Sequence, residues 1–194
     1  MKKSTIAIIA VLAIVVIWAI SSYNGLVNKQ ETVNTAWSNV ETQYQRRADL
    51  IPNLVNTVKG YAKHEQNTFQ AVVEARSKAT QTTLTVENLT EENMQKYQKA
   101  QGEVGSALSR LLAVTENYPE LKANENFIEL QAQLEGTENR ITEARKSFNE
   151  TTKEYNVSVR KFPGNIIAGI FGFDTKPLFA AAEGSDKAPS VSFD

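Results

Sequence analysis

Few side chains in this 194-residue chain could do chemistry, and their spacing argues against most of it. His64 is the only histidine, and it sits beside Glu65. Di-iron bundles need Glu-x-x-His pairs on facing helices, and the sequence contains none. A lone histidine could act as a general base, but no nucleophile is coded next to it. His64 therefore reads as an ordinary polar position on a helix. Asp49 and Glu65 are the clearest acids for an enzyme reading, and they should lie about four turns apart on one helix. The chain has no Gly-rich phosphate loop, Walker pattern or Rossmann fingerprint. It has no cysteine, which excludes disulfides, thiol chemistry and a lipid-modified amino-terminal cysteine. No metal and no cofactor is expected. A formal net charge of -1 offers no global basic character for nucleic acid.

Arg47 is the one basic residue on the seam of the first helix. If buried it must be paired, and breaking a buried pair costs about 3–5 kcal/mol. Its neighbours three and four residues away are Gln43, Tyr44, Leu50 and Ile51, so no acid on its own helix reaches it. Asp49 is two residues away and points elsewhere. Glu116, Glu120 or Glu125, at the end of a second helix and the start of a third, is the expected partner. Arg46 with Arg47, and Arg140 with Arg145, read as solvated faces rather than an anion site. Asn53, Asn149, Asn156 and Asn165 are expected to satisfy backbone groups freed by a proline or a helix end.

These residues need long helices to place them. Stepping alternately by four and three gives Val33, Trp37, Val40, Tyr44, Arg47, Ile51, Leu54, Val58, Tyr61, Glu65, Thr68, Val72, Ala75 and Ala79. That is one seam of an amphipathic helix, expected from about Leu26 to Ala79. Pro52 should kink it near Ala48 to Ile51, and Gly60 should weaken it by about 1 kcal/mol. Thr80 to Asn88 reads as a connector. Thr90 caps a second helix with Met94, Tyr97, Gln101, Val104, Leu108, Leu111, Thr115 and Tyr118 on its seam, ended by Pro119. Gly102 and Gly105 would allow a close helix approach. Asn124 caps a third helix, whose seam runs from Phe127 through Leu130, Leu134, Thr137, Ile141, Ala144, Phe148, Thr151, Tyr155 and Ser158 to Phe162, with Pro163-Gly164 as its stop.

Ahead of this lies an apolar run from Thr5 to Ile20, with no charge from Ser4 through Asn28. A bilayer takes about 20 residues as helix, and Ser21, Ser22 and Tyr23 extend the run into the interface. Trp18 and Tyr23 suit the aromatic belt. Ala19-Ile20-Ser21 meets the small-x-small form of a signal-peptide site, but the run is long for a signal core, so an uncleaved anchor is expected. Lys2 and Lys3 against a single Lys29 place the amino terminus in the cytoplasm and the bulk outside it. Asn24-Gly25 should be the joint to the soluble part. After Pro163 the texture changes: Ile166, Ile167, Ile170, Phe171 and Phe173 make a short apolar fourth helix, expected to be an interaction site rather than a cap on the core. Lys176 onward reads as a mobile tail.

The residues themselves now carry a resemblance. Tyr23-Asn24-x-Leu26-Val27 and Trp37-Ser38-x-Val40-Glu41-x-Gln43 lead into Arg46-Arg47-Ala48-Asp49-Leu50-Ile51-Pro52-Asn53-Leu54, then Val58-Lys59-Gly60-Tyr61-Ala62-Lys63-His64-Glu65. Together these resemble the central motif of the LemA family. Asn139-Arg140-Ile141-x-x-Ala144-Arg145, Phe148-Asn149, Tyr155-Asn156 and Phe162-Pro163 are similar to its later motif, and Pro189-x-Val191-x-Phe193 to its tail. The resemblance implies a bacterial single-pass membrane protein with a helical-bundle soluble part. It implies little about activity, because the family has no established enzymatic function.

The expectation is thus an all-α chain. Residues 1–25 form the cytoplasmic stub and transmembrane anchor, 26–162 an antiparallel up-and-down bundle of three long helices, 163–175 the apolar segment and 176–194 the tail. The function expected is a non-enzymatic scaffold or assembly protein of the bacterial envelope. Its partners would be the bilayer, an unknown protein and copies of itself. Membrane remodelling through the apolar segment, or an envelope enzyme of unknown type, are the rivals.

Overall fold

A computed structural model describes residues 3–180. Met1, Lys2 and residues 181–194, with the closing Pro189-x-Val191-x-Phe193 pattern, lie outside the described residues. Among the described residues every regular element is helical.

α1 spans Lys3–Tyr61, 59 residues without a break. The expected joint at Asn24-Gly25 does not interrupt it: a helical glycine costs about 1 kcal/mol, too little to stop a helix supported on both sides. Its most apolar 18-residue window has a mean hydropathy of 2.6 and no buried residue. From Leu26 onward the seam turns inward, and Val33, Trp37, Val40, Ile51, Leu54 and Val58 are all at most 1% exposed.

The expected helix to Ala79 is instead two helices. α1 ends at Tyr61, residues 62–65 turn, and α2 runs Gln66–Gln81 back along α1. Pro52 lies inside α1 without ending it. The turn comes after Gly60, where Ala62 packs at 0% exposure and Phe69 follows it inward at 6%. A single 3-10 turn at Val86–Asn88, closed by a Thr85–Asn88 capping box, leads to α3, Glu91–Thr115. The Thr90 hydroxyl accepts from the Asn93 amide at 3.2 Å, as expected of an N-cap. α4 is one turn, Pro119–Lys122. α5 spans Glu125–Arg160, and the Asn124 side chain accepts from the Phe127 amide at 3.0 Å. α6, Gly164–Phe171, closes at Gly172, whose φ of 73° suits a residue without a Cβ.

α1 and α5 run in opposite directions. Asn124 donates to the Tyr61 hydroxyl at 3.0 Å at one end, and Tyr23 meets Phe171 at the other. α2 and α3 pack on each other, and α2 also lies on α1. The core forms two apolar clusters. One surrounds Trp37, Tyr97, Phe148 and Tyr155; the other gathers Ile51, Val58, Val72, Leu111 and Phe127. Arg47 lies between them in the sequence of α1, with Tyr44 in the first cluster and Ile51 in the second.

Candidate functional site

The seam of α1 carries Arg47 inward, where its side chain is 5% exposed. One guanidinium nitrogen, Nη1, donates to Glu138 Oε1 at 3.0 Å. The other, Nη2, donates to the Gln101 carbonyl at 3.0 Å and to Gln101 Oε1 at 2.7 Å. The guanidinium also sits 5.1 Å from the centre of the Tyr44 ring. Three helices therefore converge on one cation, satisfying the demand of a buried charge for polar partners.

The acid is not Glu116, Glu120 or Glu125. That expectation used a first helix running to Ala79. With α1 ending at Tyr61 beside Asn124, Arg47 lies 14 residues before Tyr61 and Glu138 lies 14 residues after Asn124. Equal counts on opposed helices bring the two level.

A second arginine completes the centre. Proline has no N–H, so Pro52 leaves the Ala48 carbonyl without its helical donor. Arg76 of α2 supplies one, its Nε donating to the Ala48 carbonyl at 2.7 Å. The expected donor was an asparagine, but Asn53 is exposed. A cavity of about 110 Å³ opens here, bordered by Glu41, Tyr44, Arg47, Arg76, Tyr97 and Gln101 among others. Burial pushes the Tyr44 and Tyr97 hydroxyls above their ordinary pKa and raises the Glu41 carboxyl. The cavity thus presents protonated phenols beside a cation already paired. It offers hydrogen bonds and has room for water.

The next feature lies on α5. Asn149 and Asn156 are seven residues apart, two turns, so both face one way. Asn149 accepts from the Phe179 amide at 2.9 Å and donates to the Phe179 carbonyl at 3.2 Å. Asn156 does the same to Lys176, at 2.8 and 2.7 Å. The spacing matches: seven helical residues rise about 10 Å, as do three extended ones. The segment is fastened further by Arg145, which lies 4.7 Å over the Phe179 ring and donates to the Ala180 carbonyl at 3.2 Å. Phe179 stacks on Trp37 with ring centres 5.9 Å apart. Trp37 also donates to the Leu84 carbonyl at 2.9 Å, tying the loop after α2 to the same place.

Asn149 and Asn156 therefore do bind backbone, but that of residues 176 and 179 rather than of a proline or helix end. The tail expected to be mobile from Lys176 is held through Ala180, and Phe179 is 5% exposed. Tyr155 is buried beneath this segment's start, and burial, with Asp174 adding to it, raises its hydroxyl pKa.

Other expected residues are not drawn into either place. His64 is exposed in the turn after α1, and Glu65 precedes α2 without a capping bond, so Asp49 and Glu65 do not share a helix. Asp49 is exposed and accepts from Gln45 at 2.8 Å. Arg140 is exposed. Gly102 and Gly105 do not mediate a close approach: a Cβ added at either would meet nothing within 4 Å. The apolar segment is divided, with Ile167 buried, Phe173 half-buried, and Phe162, Ile166, Ile170 and Phe171 exposed. Glu138, Gln101, Arg76 and Phe179 were not foreseen. Two of them had a signal: Arg76 in the carbonyl that Pro52 frees, and Gln101 in its place on the seam of the second helix.

Residues 36–193 match the model of the LemA family. The chain belongs to the LemA family. The match takes in both Arg47 with its partners and the α5 asparagines. Magnetosome protein MamQ 2 of Paramagnetospirillum magneticum is 27% identical over 198 residues, covering 92% of this chain and 73% of its own. Magnetosome protein MamQ of Magnetospirillum gryphiswaldense is 28% identical over 174 residues, 81% of this chain and 64% of its own. Protein LemA of Metamycoplasma hominis is 21% identical over 160 residues, 82% and 69% of the two chains. The LemA family thus accounts for most of the chain from Ala36 onward.

Proposed function

We propose that the chain is a membrane-anchored, non-enzymatic scaffold of the bacterial envelope, holding a protein partner or copies of itself near the bilayer. The observation that carries this is the continuity of α1. The same uninterrupted helix is apolar and exposed from Ile6 through Ile17 and then becomes the buried spine of the packed helices from Leu26 to Val58. A helix has no loose joint, so whatever the packed helices hold stands at a set position relative to the membrane. The polar groups support the same reading: Arg47 is spent on Glu138 and Gln101, and Arg76 on Ala48, as in a network that fastens helices. In this reading the helices act as an antiparallel up-and-down bundle outside the cytoplasm, with Lys2 and Lys3 on the inner side.

Extraction from membranes in mild detergent and native mass measurement tests the scaffold. A complex heavier than the monomer, with fixed stoichiometry, is the expected result. A monomer that releases soluble fragments from purified envelope polymer would overturn it. For orientation, alkaline phosphatase fused after Asp194 should be active. An inactive phosphatase alongside a fluorescent cytoplasmic reporter would reverse the assignment.

A further inference from the structure

We infer that α6 is an interfacial membrane helix whose outer face, Ile166 and Ile170, rests in the lipid surface beside the spanning part of α1, with Phe171 at the helix end joining it to Tyr23. The inference relies on α1 being a membrane anchor and adds a second contact with the bilayer.

The Phe171 ring lies 4.9 Å from that of Tyr23, and the Phe173 ring 5.6 Å from it. Trp18 packs against the cluster that contains Ile167 and Ala168. Tyr23 stands only three residues beyond Ile20, the end of the apolar run, a rise of about 5 Å. If α1 spans the bilayer, α6 sits where hydrocarbon gives way to headgroups, the depth that aromatic rings favour.

Ile166 and Ile170, one turn apart, are 47% and 68% exposed, while Ile167 and Ala168 on another side are 4% and 3% exposed. Phe171, one turn after Ile167, touches the Tyr23 ring and still leaves 58% of its surface exposed. The outward face is held in place. A Cβ at Gly164 would lie 2.7 Å from the Ser158 carbonyl, so the glycine permits α6 to turn tightly off the end of α5. A fixed apolar patch facing water is unfavourable, and continuity with the membrane helix names its cover. The stretch between Lys161 and Asp174 has no charged residue, and the exposed Arg160 and Lys161 before it can meet anionic headgroups. With 8 residues, α6 is about 12 Å long and cannot cross a bilayer. It lies in the interface instead.

The absence of cysteine allows a direct test on the full-length chain. Ile166→Cys and Ile170→Cys, at exposed positions that do not hold the core, are spin-labelled in phosphatidylethanolamine–phosphatidylglycerol nanodiscs. Val15→Cys on the apolar run and Ile128→Cys, 52% exposed on α5, are the references. Relaxation by oxygen is compared with relaxation by a water-soluble nickel chelate. The expected oxygen-to-nickel ratio at 166 and 170 is several-fold above that at 128. Nickel access at 166 and 170 equal to that at 128, with Val15 oxygen-dominated, overturns the α6 inference and leaves the anchor standing. Exclusion of both reagents also overturns it, since a protein surface would then be the cover. Nickel access at Val15 itself would remove the anchor and the inference together.

Discussion

Arg47 shows how one side chain can tie three helices. Its partner Glu138 retains 43% of its side-chain exposure, so an unpaired Glu138 would still be solvated. Arg47→Ala should therefore cost less than loss of a fully buried pair, about 2–3 kcal/mol for the charged hydrogen bonds removed. A thermal melt checks this, and a curve unchanged within error would mean that the guanidinium is solvated. Arg76 and Pro52 allow a sharper test. Arg76→Ala orphans the Ala48 carbonyl and should cost about 1–2 kcal/mol. In a Pro52→Ala background the restored amide can fill that carbonyl, so the same change should cost clearly less. A double-mutant cycle measures the difference. Equal costs in both backgrounds would show that the two residues do not share the carbonyl.

Among the elements, the segment after Pro163 departs furthest from expectation. An interaction site that does not cap the core would leave helicity and melting temperature intact when the chain is truncated after Phe162. That truncation instead removes Ile167, Ala168 and Phe179 from the core, and the melting temperature should fall. Phe179→Ala alone should cost about 3 kcal/mol. The asparagine clamp makes a separate demand. Asn149→Ala and Asn156→Ala should speed amide hydrogen exchange at Phe179 and Lys176 respectively, with the α5 amides still protected. Unchanged exchange at both sites would mean that packing alone holds the segment. The same stretch of chain caps the core with one side and presents Ile166 and Ile170 with the other, so cap and interaction surface are two faces of one element.

Across the whole molecule, the buried phenols set a pH limit. Burial raises the hydroxyl pKa values of Tyr44, Tyr97 and Tyr155 above the ordinary value of 10.0. The folded chain then keeps protons that the unfolded chain releases. Their contribution is fully present below about pH 10 and is lost as pH rises toward the folded values. The detergent-solubilised chain should melt at a constant temperature from pH 8 to 9 and progressively lower above pH 10. A melting temperature that holds to pH 11 would show that these hydroxyls ionise without cost to the fold.

Residue spacing along α1 and α5 marked most of the buried positions, because the three- and four-residue step is a property of the helix itself; it slipped at the ends, where Tyr61 and Phe162 are exposed and Thr152 and Val159 rather than Thr151 and Ser158 are buried. The same spacing, with the uncharged run to Asn28, made the all-helical class and the membrane-length segment legible, and the run from Asp49 to Leu54 carried the family. Tertiary packing decided the rest. Gly25 and Pro52 are local penalties of about 1 and 3 kcal/mol, and burial along the seam and Arg76 on Ala48 outweigh them, so α1 continues through both and turns after Gly60 instead. That turn resets the register, which is why Arg47 meets Glu138 rather than an acid nearer the α3–α5 connection. Phe179 belongs to no periodic pattern; it is core because Asn149 and Trp37, far away in sequence, fold to where its backbone and ring can be bound, while Asn156 holds Lys176 three residues before it.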